Sequence, residues 1–289
     1  MRLYTDKETM IYTKIAKHFL LYLIIIVYLV FTLLPIFWMV RTSFLNSSDA
    51  FLLPPKLIFK PILDNYKHIF AGGYMTSGTN FVKSYINSVI VSLSSALITL
   101  VIGIPAAYTL ARFQFRGKSD LSFWILSTRM APPLGSALPL YIIFKYTGLI
   151  DTHLALIILY LTFNLSLVIW LLTGFFQGIP KEIEEAAFID GCSRLKSLIK
   201  ILMPICLPGI ISAIVICIIF SWNEFLFALI ITGPRAQTVP LGAYSMILHS
   251  KILWGPITAA GVVISLPIIV FVILFQRNLV TALTFGAIR

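Results

Sequence analysis

Charge is scarce in this sequence: charged residues make up 11% of the 289, and only 11 of them are acidic. A soluble domain carries about 25% charged residues, so the shortage excludes an ordinary water-soluble enzyme. Cysteine is scarce too. Cys192, Cys206 and Cys217 follow no metal-binding spacing, lie in no segment read as external, and say nothing about disulfides. The phosphate-cradling pattern G-x-x-x-x-G-K-[ST] is missing, because Gly117-Lys118-Ser119 has Arg112 where the earlier glycine must stand. No Ser/His/Asp set or metal cluster emerges either. His18, His68, His153 and His249 are scattered over span ends and loops and read as ordinary interface residues. These absences predict a chain that is not itself an enzyme and holds no cofactor or metal of its own. A cleavable secretion signal is lacking as well: the first apolar run, 19–40, is too long and has no A-x-A site after it.

What the sequence has in excess is apolar surface. Hydrophobic residues make up 59%, and the mean hydropathy is +0.96. The apolar runs fall at 18–41, 84–110, 120–144, 152–174, 205–231 and 256–277. Each is near the roughly 20 residues that cross a bilayer as a helix. The expectation is an all-α membrane protein of about six transmembrane helices. Residues 1–17 form a cytoplasmic N-terminal segment, 18–289 one six-span domain, and 175–204 a long cytoplasmic loop. The third run is interrupted by Arg129, Pro132, Pro133 and Pro139. Either it is broken and faces the bundle interior, where protein covers its irregular backbone, or it ends near Met130.

The net charge of +11 belongs to topology rather than to nucleic acid, because no basic stretch interleaves with aromatics. With the N-terminus inside, thirteen basic residues fall in internal segments: Arg2, Lys7, Lys14, Lys17, Arg112, Arg116, Lys118, Lys181, Arg194, Lys196, Lys200, Arg277 and Arg289. Six fall outside: Lys56, Lys60, Lys67, Lys145, Arg235 and Lys251. The bias predicts both termini in the cytoplasm. The first external loop, 42–83, is rich in glycine and proline, reads as a small cap, and contains an acceptor-like triplet, Asn46-Ser47-Ser48.

The internal loop 175–204 is the most informative stretch. Pro180 can open a helix. Glu182, Glu184 and Glu185 follow where negative charge suits the helix dipole, and Gly191 ends it. A second short helix with Arg194, Lys196 and Lys200 runs to Pro204. Ile183, Ala186, Ala187 and Asp190 are spaced to share one face. Periodicity leaves two readings open: a knob for a partner's groove, or an amphipathic linker on the membrane surface.

The same loop resembles the EAA loop of permease subunits in binding-protein-dependent ATP-binding-cassette (ABC) importers. Glu185-Ala186-Ala187 is followed by three residues, Gly191, nine residues, and Ile201-Leu202-Met203-Pro204, with Met203 replacing the usual leucine. Other stretches are similar to the carbohydrate branch, the maltose-type second permease subunit. They are Asn87-Ser88, Ala106-Ala107-Tyr108-Thr109-Leu110-Ala111-Arg112, Pro139-Leu140-Tyr141, Gly148-Leu149-Ile150-Asp151-Thr152, Gly174-Phe175-Phe176, Pro208-Gly209, Trp222-Asn223-Glu224-Phe225-Leu226 and Gly286-Ala287. The run Arg129-Met130-Ala131-Pro132-Pro133 looks like the trehalose-handling members.

The resemblance implies a type I ABC importer permease fold in the cell (cytoplasmic or inner) membrane. It implies a second, different permease subunit as partner, two ATP-binding subunits that carry ATP and Mg, an external solute-binding protein, and a disaccharide such as trehalose or maltose as solute. It also implies that the loop is a coupling helix, with Glu182, Glu185, Ala186, Ala187, Asp190 and Gly191 docking on an ATP-binding subunit. Rival readings are an importer of a polyol or glycerol phosphate, and a secondary transporter, although no repeat between the two halves supports the latter.

Polar groups at membrane depth are functional candidates. Asn223 and Glu224 in span five, Arg129 in span three and Asn164 in span four are candidates for the solute path or gate. Structural hydrogen bonds between helices explain Asn223 and Glu224 equally well, and an Arg129–Glu224 pair is conceivable.

Overall fold

A computed structural model of the chain describes residues 2–285 apart from 47, 53, 56, 73–79 and 248–252, with side chains from 17 to 280 except at 51. Ser47 of the acceptor-like triplet, Lys56, His249, Lys251, Gly286-Ala287 and Arg289 lie outside the described residues. Among the described residues there are helices and no strand. A backbone in hydrocarbon must satisfy its own hydrogen bonds, and within one segment only a helix does so.

Helix α1 (Arg2–Ser43) runs without a break from the segment expected to precede the membrane into the first span. The short α2 (Asp64–Phe70) lies in the loop read from the sequence as a cap. Helix α3 (Phe81–Arg112) opens on Asn80, whose side chain accepts the Lys83 N–H at 2.7 Å, and continues through Pro105. Helix α4 (Lys118–Ser127), a 3-10 turn at Thr128–Met130 and α5 (Pro133–Tyr146) occupy the third apolar run. Helix α6 (His153–Gly178) is capped by Thr152. The loop then holds α7 (Lys181–Ile189), α8 (Arg194–Ser197), a π-turn at Leu198–Leu202 and α9 (Met203–Ile205). Helices α10 (Leu207–Asn223), α11 (Leu226–Ile231), α12 (Val239–Tyr244) and α13 (Trp254–Phe285) complete the chain.

Four described stretches are single helices long and apolar enough to cross a membrane: Lys17–Ser43, Phe81–Arg112, His153–Gly178 and Trp254–Val280. The fifth expected span is α10, which meets Arg194–Ile205 at an 81° bend. The third is broken as its prolines predict: neither of its halves, at about 15 and 21 Å, crosses a hydrocarbon core of about 30 Å alone. Within this chain it is lightly packed. Helix α4 buries no residue and α5 buries only Ala137 and Phe144, while Trp124, Met130, Leu134 and Leu138 are exposed. The centre is already filled by α3, α6 and α10, which leaves span three at the rim.

Helices α3 and α6 form the most extensive pair. Gly103 permits it, since a β-carbon there would lie 2.7 Å from Val168 Cγ1. Ala96, Leu100, Ile104, Leu172, Phe176, Leu202 and Ile210 fill the inner half of the core. Leu156, Leu159, Tyr160, Phe227 and Ile231 fill the outer half. Helix α1 packs on α13. In the cap, the Asn65 amide donates to the carbonyls of Ser43 and Leu45 at the end of α1 and lies against Gly255 at the start of α13.

Candidate functional site

The predicted helix, glycine corner and second helix of the internal loop are present. Helix α7 follows Pro180, with Glu182 and Glu184 in its first turn. At its end Gly191 adopts φ +79°. The Gly191 N–H reaches the Phe188 carbonyl at 3.0 Å, and the Cys192 N–H reaches that of Ala187 at 2.9 Å. This pair of bonds defines a Schellman ending, which needs a left-handed residue and so favours glycine. Ser193 then accepts the Lys196 N–H and starts α8. The Arg194 guanidinium stacks over Phe113 at 4.7 Å and lies 5.8 Å from the Phe188 ring.

Glu182, Ile183, Glu185, Ala186, Ile189, Asp190 and Gly191 are exposed together, so the loop offers a surface of carboxylates, small residues and two isoleucines. Ala187 does not join them. It is buried on the same stripe of α7 as Glu184, three residues earlier, whose partners are Tyr108 and Arg112 of α3. The expected single face of Ile183, Ala186, Ala187 and Asp190 therefore splits in two.

Glu184 is the residue that sequence reasoning left among the first-turn acids. Its side chain and that of Arg112 are each 7% exposed, and Arg112 Nε lies 2.9 Å from Glu184 Oε2. Tyr108 donates its hydroxyl to Glu184 Oε1. Arg112 Nη2 also donates to the Ile179 carbonyl at 3.0 Å. One guanidinium thus grips the loop on both sides of Pro180. The signal was in the sequence: Tyr108 and Arg112 are one turn apart at the inner end of α3.

At membrane depth the candidates separate. The Glu224 carboxylate accepts the N–H groups of Phe227 at 2.9 Å and Ala228 at 3.2 Å, and the Tyr160 hydroxyl at 2.9 Å. It caps α11 where the fifth span breaks. No ion pair joins it to Arg129 among the described residues, because the guanidinium lies 4.7 Å over the Phe220 ring of α10 instead. Asn223 is exposed and its amide bonds back to the Ile219 carbonyl of its own helix. Asn164 is fully buried, and its amide donates to Ser221 Oγ, which also meets Ser95 Oγ at 3.1 Å. Arg129 Nη1 and Asn164 Oδ1 are buried with no hydrogen-bond partner among the described residues.

The outer ends of α3 and α6 hold the segment 232–239. The Asp151 carboxylate accepts the N–H groups of Gly233 at 2.8 Å, Ala236 at 2.9 Å and Arg235 at 3.1 Å. The Asn87 amide donates to the carbonyls of Arg235 and Gln237 and faces His153 Nε2 at 2.8 Å. Ser88 accepts the Val239 N–H at 2.8 Å. Motifs distant in sequence, Asn87-Ser88 and Gly148–Thr152, thus meet at one structure. Gly174-Phe175-Phe176 and Pro208-Gly209 meet likewise at the inner end, where Gly209 packs on the Phe175 ring.

Residues 99–284 match the family of binding-protein-dependent transport system inner membrane components. The chain is 37% identical over 265 residues to the trehalose transport system permease protein of Mycobacterium tuberculosis, covering 90% of this chain and 93% of that one. It is 33% identical over 279 residues to the trehalose/maltose transport system permease protein of Thermococcus litoralis, covering 96% of this chain and 98% of that one. Its fold is similar to a chain of a bacterial ABC transporter that imports the acidic polysaccharide alginate. The TM-score there is 0.73 at 20% identity, covering 88% of this chain and 93% of that chain.

Proposed function

The chain belongs to the binding-protein-dependent transport system inner membrane components, and from that premise we propose that it is a permease subunit of an ATP-driven disaccharide importer, for trehalose, maltose or a close relative. It provides half of the translocation path. A second permease subunit provides the other half, an external binding protein delivers the sugar, and two ATP-binding subunits carry ATP and Mg. Both termini face the cytoplasm, in keeping with the thirteen-to-six distribution of Lys and Arg.

The observation that carries this reading is the internal loop. It is a short rigid helix with a Schellman corner, anchored to α3 by the buried Arg112–Glu184 pair and exposing Glu182, Glu185, Ala186, Asp190 and Gly191. A surface of that kind is built to receive a push: its inner side is fixed to the membrane helices and its outer side is free to dock. Closure of the ATP-binding subunits on ATP moves α7, the helices reorient, and the path opens to the other side of the membrane. The exposed apolar surface of α1, α4 and α5 is covered by the second permease or by lipid.

The test is co-purification and reconstitution with the neighbouring transport subunits. An ATPase that comes down with the chain, is lost on deleting 182–191, and drives uptake of a labelled disaccharide with binding protein present supports the assignment. Uptake by this chain alone without ATP overturns it. A panel that includes glycerol phosphate and polyols reads the solute class.

A further inference from the structure

Helix α7 is joined by the chain to α6 and, through α8 and α9, to α10. Neither connection is a continuous helix. The α6 side passes through the non-helical residues Ile179 and Pro180, and the α10 side passes a π-turn and an 81° bend. The tight connection runs instead to α3, which is not adjacent in sequence. Arg112 bridges Glu184 and the Ile179 carbonyl, and Tyr108 also holds Glu184. Helix α3 is unbroken over 32 residues, or about 48 Å. Its other end carries the outer segment: Lys83 Nζ donates to the Pro234 carbonyl at 3.3 Å, Asn87 to those of Arg235 and Gln237, and Ser88 accepts the Val239 N–H.

We propose that α3 is the rod that carries the motion of the coupling helix to the outer mouth, with Arg112 and Glu184 as positioning residues at its inner end and Asn87 and Ser88 at its outer end. This rests on the importer reading. A buried ion pair suits the task, because parting its members strands a charge away from water, so the pair moves as one piece. The flanking spans then follow α3 rather than lead it.

The experiment uses the assembled transporter in membranes. Cys192→Ser removes the partly exposed native thiol, and Arg235→Cys places a reporter at an exposed side chain of the outer segment. The rate of its modification by a membrane-impermeant maleimide is measured with and without a non-hydrolysable ATP analogue. In the parent the analogue changes that rate by about fivefold or more, the usual size of coupling between two sites. Arg112→Gln and Glu184→Gln abolish the change per assembled complex, and sugar carried per ATP falls in parallel. The double variant Arg112→Met with Glu184→Met strands no charge, so it recovers the yield of assembled complex without recovering the response.

A response of parental size in either single variant, or its recovery in the double variant, overturns the rod. So does a parent with no response. Failure of the importer reading is distinguished by the parent's own ATP-driven sugar uptake, which stands or falls without any of these substitutions.

Discussion

Gly209 lies so close to Phe175 that a β-carbon there would sit 2.7 Å from the ring's Cγ. The contact seats the start of α10 on the end of α6, at the base of the loop 175–204. Gly209→Val forces overlap in a packed site and is expected to destabilise the subunit by about 1–3 kcal/mol. Thermal melting of the detergent-purified complex measures it. Adding Phe175→Ala makes room, and should return most of the lost stability.

Gly191 is a different kind of glycine. A β-carbon there would meet nothing within 4 Å, but the backbone holds a φ of +79°. Gly191→Val therefore acts on the backbone alone, at about 1–2 kcal/mol, and unwinds the Schellman corner. The subunit should still reach the membrane, while sugar-stimulated ATP hydrolysis and uptake come apart. Unchanged uptake per ATP in this variant counts against the loop as the docking element.

Glu224 is expected to matter for stability rather than for recognition. Its carboxylate caps α11 and holds Tyr160. Glu224→Ala should lower stability by about 0.5–2 kcal/mol, the range for loss of a helix cap, and leave the KM for sugar uptake unchanged. A rise of KM without loss of thermal stability would return Glu224 to the solute path.

Asp151 holds the outer segment by three backbone N–H groups from φ +59°, a backbone conformation that non-glycine residues seldom adopt. Asp151→Ala leaves those donors without their acceptor, a loss of about 1–3 kcal/mol. Amide hydrogen exchange should quicken across 232–239 and stay slow in the core of α6. Equal protection in variant and parent would show that the segment is held elsewhere.

Much of this architecture was legible in the sequence because bilayer thickness and backbone hydrogen bonding leave few choices. The apolar runs located α1, α3, α6 and α13, although each helix outruns its apolar run at one end or both, since a helix continues past the lipid wherever its own bonds suffice. The prolines after Arg129 announced the break between α4 and α5. Gly191 announced the corner. What was not legible depended on elements meeting from afar. Glu184 looks like any first-turn acid until Arg112, distant in sequence, arrives beside it. Ala187 looks like part of an outer face until the folded loop buries it. Glu224 looked like a charge inside a continuous span because hydropathy does not register the break after Asn223, and that break supplies the N–H groups the carboxylate accepts.

The clamp in the cap bears on how the chain is made. Asn65 grips the end of α1 but leans on Gly255, the second residue of the last helix. Between residues 17 and 43 the first helix has almost no neighbour except α13. A nascent chain emerges N-terminus first, so α1 waits in the bilayer unaccompanied while everything between is synthesised. The contact between α1 and α13 is thus made late, and a chain halted before residue 254 leaves α1 adrift beside the helices synthesised between them.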